Sequence, residues 1–312
     1  MQLSRRSFST ALAAGLGTAL VPYLQAQGPT PPKPKKLKIG HTGITWPGGP
    51  DKRGIEIAIK DLGSLGYAGL ETFGDVLDQY EKEGGLLRHL EAASLPLISG
   101  YCTVDLVDPA KRKDSVARMV EWAKVIRKNG GRIMILGPNG ARRAQTGFQF
   151  AEHRADIAAC LNEIGKAITD LGVTGVLHPH TGTVVETLDE TLATLDSVDT
   201  RYVKFGPDVG QLVKGGAEPA AVTKLVKDHL SIVHHMHLKD FSGGKYYGGY
   251  CPLGFGRVEL ANLLDLMEGK GEMAGMVMVE LDGGGRSDPM PALEAARISK
   301  TYLQSQGISF RA

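Results

Sequence analysis

From Leu37 onward, short apolar runs alternate with longer stretches in which apolar residues recur at helical spacing. Eight runs have strand character: Leu37–Trp46, Tyr67–Phe73, Leu95–Thr103, Arg132–Gly137, Thr174–His180, Tyr202–Asp208, Ile232–Leu238 and Met276–Leu281. The intervening periodicity predicts helices over Asp51–Leu65, Val76–Ala93, Pro109–Lys128, Phe148–Leu171, Glu186–Ser197, Pro219–His229 and Val258–Met267, and a last one over Met290–Gln306. Glycines close several of them, as in SLGY, KNGGR and DLGV. Strands that alternate with helices run parallel, because each crossover returns the chain to the same end of the sheet. Eight such units in about 250 residues predict an α/β fold, a single (β/α)8 TIM barrel over residues 37–312. A doubly wound sheet is the competitor, but no G-x-G-x-x-G lies between the first strand and helix.

In such a barrel the chemistry collects where the strands end. The fifth run ends in VLHPHTGTVVE, where His178 and His180 share one side if the run is extended. The sixth ends in KFGPDVGQ, with Asp208 and Gln211. The seventh, IVHHMHLKD, puts His235, His237 and Lys239 on one face, and the eighth, VMVELDGG, brings Glu280. Imidazoles mixed with carboxylates suit a divalent transition metal, with Asp208, His237, Glu280 and a strand-five histidine as ligands. Such a cation polarises a carbonyl and stabilises an enediolate, while a nearby carboxylate removes the alpha proton. Lys239 either supplies charge for an oxyanion or forms a structural pair with Asp240. Glu71, in GLETFG, is either a carboxylate serving the site and substrate or a salt bridge beneath the loops. Trp46, near the mouth, either stacks on a sugar or packs. The Gly/Tyr loop over residues 241–257 predicts a cover, with Lys245 and Tyr247 as substrate contacts. His41, His89, His153 and His229 have no partner pattern and read as packing or surface residues.

The first 26 residues have a basic start, a short apolar run and a small residue at a cut site, Ala26. That is the layout of an export signal, and SRRSF, with Arg5 and Arg6, resembles a twin-arginine signal. The expectation is a periplasmic protein exported folded, with no stable membrane insertion after processing. Residues 27–36 read as a Pro/Lys-rich linker. Loss of the signal removes two arginines and no acid, leaving 34 basic against 34 acidic residues. Nucleic-acid binding requires a basic excess that is missing here. Cys102, Cys160 and Cys251 are odd in number and widely spaced, which fits neither a disulfide framework nor a zinc cluster.

HPHTGTVVET, HMHLKD and PLGFGRVEL…GMVMVELD, spread over Leu37–Gln306, resemble the sugar phosphate isomerase/epimerase superfamily, the xylose isomerase-like TIM barrels, and most of all its inosose dehydratase branch. The resemblance implies one divalent metal, Mn, Co or Mg with Zn also admissible, on Asp208, His237 and Glu280. It also implies acid–base work for Glu280, a small carbohydrate substrate and, since members often pair, a homodimer. Two departures bear on the reaction. His178 stands where the epimerase branch has a ligating Glu, which removes one of two facing carboxylates and favours lyase or dehydratase over epimerase. His178 is then the fourth ligand and His180 the proton donor, or His180 is itself the ligand. DVGQ replaces a D-T-G-H pattern, and Gln211 can hydrogen-bond a hydroxyl but not shuttle a proton. The expected catalytic set is Glu280, His180 and Lys239, and the expected substrate set is Trp46, Glu71, Gln211, His235 and Lys245. The substrate expected is a keto-sugar, keto-cyclitol or oxidised glycoside. The alternatives are a non-catalytic periplasmic sugar-binding protein and, against the neutral charge, a DNA-repair endonuclease on the same barrel.

Overall fold

The eight apolar runs become eight parallel strands that curl around a filled interior. The computed structural model describes residues 32–48, 51–140, 143–145, 147–270, 276–282 and 290–312. The strands are β1 (Ile39–Thr42), β2 (Leu70–Phe73), β3 (Leu97–Val104), β4 (Ile133–Pro138), β5 (Thr174–Leu177), β6 (Val203–Phe205), β7 (Met236–Leu238) and β8 (Val277–Val279). They are hydrogen-bonded in the order β6-β5-β4-β3-β2-β1-β8-β7. Isolated parallel bridges, Phe205–Val233 and Asp208–His237, join the two outer strands and close the ring. Ile133, Ile135 and Val176, with Tyr101 and Met276, form one cluster. Their neighbours Met134, Leu136 and Leu177 belong to the large second one. Alternation along β4 and β5 thus separates a barrel interior from the layer beneath the helices.

Most strands are shorter than their apolar runs. β5 stops at Leu177 because His178 is followed by Pro179, which has no N–H for the ladder. β1 stops at Thr42 and passes into a 3-10 turn over Gly43–Thr45. The helix expected over Val76–Ala93 is two, Gly74–Glu81 and Leu87–Ala92. Between them Gly84 and Gly85 take φ of 95° and 89°, left-handed values that a helix cannot contain. An unanticipated helix, Val209–Lys214, is capped by Asp208, whose carboxylate accepts from Gln211 N at 2.9 Å. The expected linker does not run free to Lys36. Lys35 bridges Ile308, and Lys36 N–H donates to the Glu268 carboxylate at 2.9 Å, so backbone groups there find partners on the fold. The proposed signal, and the linker up to residue 31, lie outside the described residues. Among the described residues no helix is long and apolar enough to cross a membrane. All three cysteines are buried and free.

The anticipated Lys239–Asp240 pair does not form, because consecutive residues at this strand end face opposite ways. Lys239 points into the interior. Asp240 instead organises the loop beyond it, as one oxygen accepts from Phe241 N at 2.9 Å and Val258 N at 3.2 Å. The other accepts from Gly254 N at 3.0 Å and Gly256 N at 2.8 Å. A Cβ at Gly256 would come within 2.1 Å of the Asp240 carboxylate, so only glycine permits the approach. The same aspartate begins a short hairpin, Asp240–Phe241 against Tyr250–Cys251. Asp240→Ala orphans four amides and is expected to cost about 3 kcal/mol, read as a lower urea midpoint at unchanged slope. A loss under about 1 kcal/mol would mean that the loop is held by its packing alone.

Candidate active site

Three buried side-chain atoms near the C-terminal ends of the strands converge: His178 Nε2, which has no hydrogen-bond partner, Asp208 Oδ2 and His237 Nδ1. Each residue is engaged through its other polar atom. His178 Nδ1–H donates to Gly206 O at 3.0 Å, Asp208 Oδ1 caps the helix that follows, and His237 Nε2–H donates to Glu71 Oε1 at 2.8 Å. His237 Nδ1 lies 3.7 Å from Asp208 Oδ2 and 3.1 Å from Glu280 Oε2, and His178 Nε2 lies 4.0 Å from Asp208 Oδ2. Donors around a tetrahedral cation with bonds of about 2.1 Å are separated by about 3.4 Å. Burial, then the neighbouring His237, pushes the His178 imidazole down to about 3, so its Nε2 keeps a lone pair. Two oriented imidazoles, the His178 lone pair and two carboxylates fit a divalent cation.

Lys239 lies beside this group and is wholly buried. Its Nζ is 2.8 Å from Asp208 Oδ2, 2.6 Å from Glu280 Oε1 and 2.9 Å from Asp282 Oδ2. Burial would lower the ammonium, but Asp208, Asp282 and Glu280 outweigh it and hold it well above the usual lysine value. Burial would likewise raise Glu280, yet His237 and Lys239 keep its carboxyl well below the ordinary range. Asp208 is held low against burial chiefly by Lys239. Asp282 goes the other way, since burial and the charges of Glu280 and Asp208 outweigh Lys239 and raise it. His237 sits between Glu280 and Glu71 and is raised well above its usual value despite burial. Ionised, Glu71, Asp208, Glu280 and Asp282 outnumber the two cations Lys239 and His237 by two, a deficit that a divalent cation relieves.

A cavity of about 140 Å³ opens above these groups, lined by Glu71, Tyr101, His180, Glu280 and Asp282 with Thr42 and Phe73 among others. His180 Nδ1–H donates to Thr181 O at 2.8 Å, and its Nε2 accepts from the Gln211 amide at 2.7 Å. The same amide nitrogen donates to Asp282 Oδ2 at 2.8 Å, and Gln211 Oε1 accepts from Thr181 Oγ1 at 2.5 Å. Gln211 is therefore a clamp between His180 and Asp282.

The structure brings together His178, Asp208, His237, Lys239 and Glu280, with Glu71 among them and His180 on the cavity wall. Four expected substrate contacts lie elsewhere or face away. Trp46 is buried, donates to Asp61 Oδ2 at 2.8 Å and packs edge-on against His41 at 5.2 Å, so it is a core residue and not a sugar platform. His41, between Trp46 and Tyr67, is likewise a packing residue, pushed down to about 4 by burial. Lys245 is exposed on the loop beside Tyr246 and borders a separate groove with Tyr247 and Phe255. His235 lies deeper, bound to Glu71 at 3.0 Å, and Gln211 is spent on its neighbours. Asp282, Tyr101 and Ser99 escaped the sequence reading. Asp282 follows Glu280 by two positions, so the alternation that selected His235, His237 and Lys239 pointed to it as well.

The chain matches the xylose isomerase-like TIM barrel family over residues 59–305. Among curated proteins, an inosose dehydratase of Mesomycoplasma hyopneumoniae is 25% identical over 301 residues, covering 88% of this chain and 97% of its own. Among solved structures, a probable 3-DHS dehydratase from Bacillus anthracis aligns with a TM-score of 0.67 at 16% identity, covering 86% of this chain and 99% of its own. The IOLI protein with a bound zinc atom aligns with a TM-score of 0.66 at 15% identity, covering 86% and 98%. With its eight parallel strands and a match over most of its length, this chain belongs to the xylose isomerase-like TIM barrel family.

Proposed function

We propose that the protein removes a proton alpha to the carbonyl of a keto-sugar, keto-cyclitol or oxidised glycoside, with metal-dependent elimination favoured over epimerisation. It is an enzyme of the dehydratase/isomerase type within a sugar isomerase/epimerase family. One observation carries the finer reading: His178 Nε2, Asp208 Oδ2 and His237 Nδ1 are buried and convergent, with His178 Nε2 unpartnered, beside a cavity lined by three carboxylates. The dehydratase relative supports elimination, and the zinc in the IOLI protein supports a divalent metal.

His178, Asp208, His237 and Glu280 would hold the cation, for which Mn, Co, Mg and Zn are the candidates. Bound there, it supplies Lewis-acid polarisation of the substrate carbonyl. Lys239 Nζ adds positive charge beside the developing oxyanion. Glu280 is held by both Lys239 and His237, whereas Asp282 has a side chain 26% exposed against 8% and is the carboxylate more open to substrate. That exposure supports Asp282 as a partner to Glu280 in taking the alpha proton. Once the Gln211 amide releases it, His180 Nε2 can take up a proton from solvent and pass it to a leaving hydroxyl. The same amide favours a second reading, a sugar-binding protein without turnover, because it occupies the atom that would move the proton. The paired arginines Arg5 and Arg6 support export to the periplasm, where oxidised sugars without phosphate are the accessible substrates.

Two measurements test these readings. Protein purified after export is expected to carry near-stoichiometric metal. His178→Ala should lose it, while His180→Ala should keep it and turn over about 100-fold more slowly. The reverse pattern would make His180 the ligand. In the second, metal-loaded protein should place solvent deuterium alpha to the carbonyl of a keto-sugar or inosose, and Glu280→Gln should abolish the exchange. Tight sugar binding without exchange, indifferent to Glu280→Gln, would establish the binding-protein reading instead.

A further inference from the structure

We infer that Glu71 is a positioning residue which, with Ser99, selects the His237 tautomer able to bind a cation; the inference rests on the metal reading proposed above. Glu71 sits on β2, and in the sheet order β1 and β8 separate it from β7, so its side chain must reach across the barrel interior to meet His235 and His237. It is buried, with a side chain 3% exposed, and both of its oxygens are taken. Oε1 accepts from His237 Nε2 at 2.8 Å, and Oε2 accepts from Ser99 Oγ at 2.6 Å with His235 Nε2 at 3.0 Å. The β2–β3 register shifts between Leu70 and Glu71, and past that irregularity Glu71 stands opposite Ser99.

A carboxylate only accepts hydrogen bonds, so the proton on this edge of His237 must be on Nε2. Nδ1, the atom 3.1 Å from Glu280 and 3.7 Å from Asp208, is then the nitrogen left to face a cation. With the two edges reversed, Nε2 would aim a lone pair at a carboxylate, and a bound cation would meet an N–H. Ligating histidines are commonly oriented by a carboxylate or carbonyl on the far nitrogen. His178 receives its orientation from the Gly206 carbonyl, whereas His237 receives it from a carboxylate itself fixed by Ser99. A filler of the barrel interior would need no charge and no second tether.

The test is a cobalt(II) titration of the metal-stripped full chain, followed by its visible ligand-field absorption, on wild type, Glu71→Gln and Ser99→Ala. Glu71→Gln keeps the shape of the side chain and removes its charge. It is expected to weaken cobalt binding by about 10- to 100-fold, with an altered spectrum. Ser99→Ala leaves the carboxylate but loosens it, and is expected to weaken binding by about threefold or more, a smaller share of the same effect. Histidine nitrogen NMR on the zinc-loaded protein should show a shifted Nε2–H signal for His237 in Glu71→Gln, a change that lost packing alone would not produce. If Glu71→Gln does not fold, Ser99→Ala decides, and an unchanged affinity there overturns the inference. Wild type that binds cobalt, with Glu71→Gln binding within twofold, overturns the role of Glu71 and leaves the metal reading intact. Wild type that shows no cobalt spectrum defeats both.

Discussion

One ammonium group, Lys239 Nζ, allows three carboxylates to share the mouth of the barrel. It stands 2.6 to 2.9 Å from Glu280, Asp208 and Asp282 and is sealed from solvent. Carboxylates buried together repel and lose hydration, and removing the shared partner of such a group costs about 3–5 kcal/mol. Lys239 cannot act through a single strand, because its three partners follow β6 and β8 while it follows β7. The ion cluster therefore ties three neighbouring strand ends together at the level where their backbone ladder has run out. Two of the charges that lock the strand ends, Glu280 and Asp282, also line the cavity.

The ring closes at the same place. β6 and β7 have no regular ladder between them, and the isolated Asp208–His237 bridge completes the sheet with two residues of the cluster. Asp208 is used at every atom: its backbone bridges the seam, Oδ1 caps the next helix and Oδ2 faces Lys239. One position beyond Lys239, Asp240 turns outward and gathers four amides of the following loop. A strand end thus sends one charge inward to the site and the next outward to the loop that borders it.

The βα alternation was fully legible in the sequence, because burial on both faces writes each strand as an apolar run. His237, Lys239 and Glu280 were legible for a related reason: polar residues at period two at the end of an apolar run have one direction to face. Strand length was not legible. His178 and His180 read as equals along an extended strand, but Pro179 ends the ladder, and only His178 turns into the cluster while His180 reaches the cavity wall. Trp46 misled because a large aromatic near a strand end looks the same whether its indole N–H meets a sugar or, as here, Asp61. Glu71 was ambiguous because its partners lie 166 and 28 residues away, and no local pattern encodes a contact made across the barrel.

The charge balance also suits an imidazole at position 178. A carboxylate at position 178 would add a further negative charge to a cluster whose carboxylates already outnumber Lys239 and His237 by two. A neutral imidazole offers the same lone pair without deepening the deficit, and burial keeps it neutral. Asp282, a carboxylate from the β8 end, is raised by burial and by its acidic neighbours. On the proposed reading, acid–base capacity lies on the strand-eight side of the cavity, where Glu280 and Asp282 stand together. Two carboxylates on one side, facing an imidazole rather than a third carboxylate, match the demands of elimination, which needs one strong base and a separate donor to the leaving group. Epimerisation needs equivalent groups on opposite faces of the enediolate.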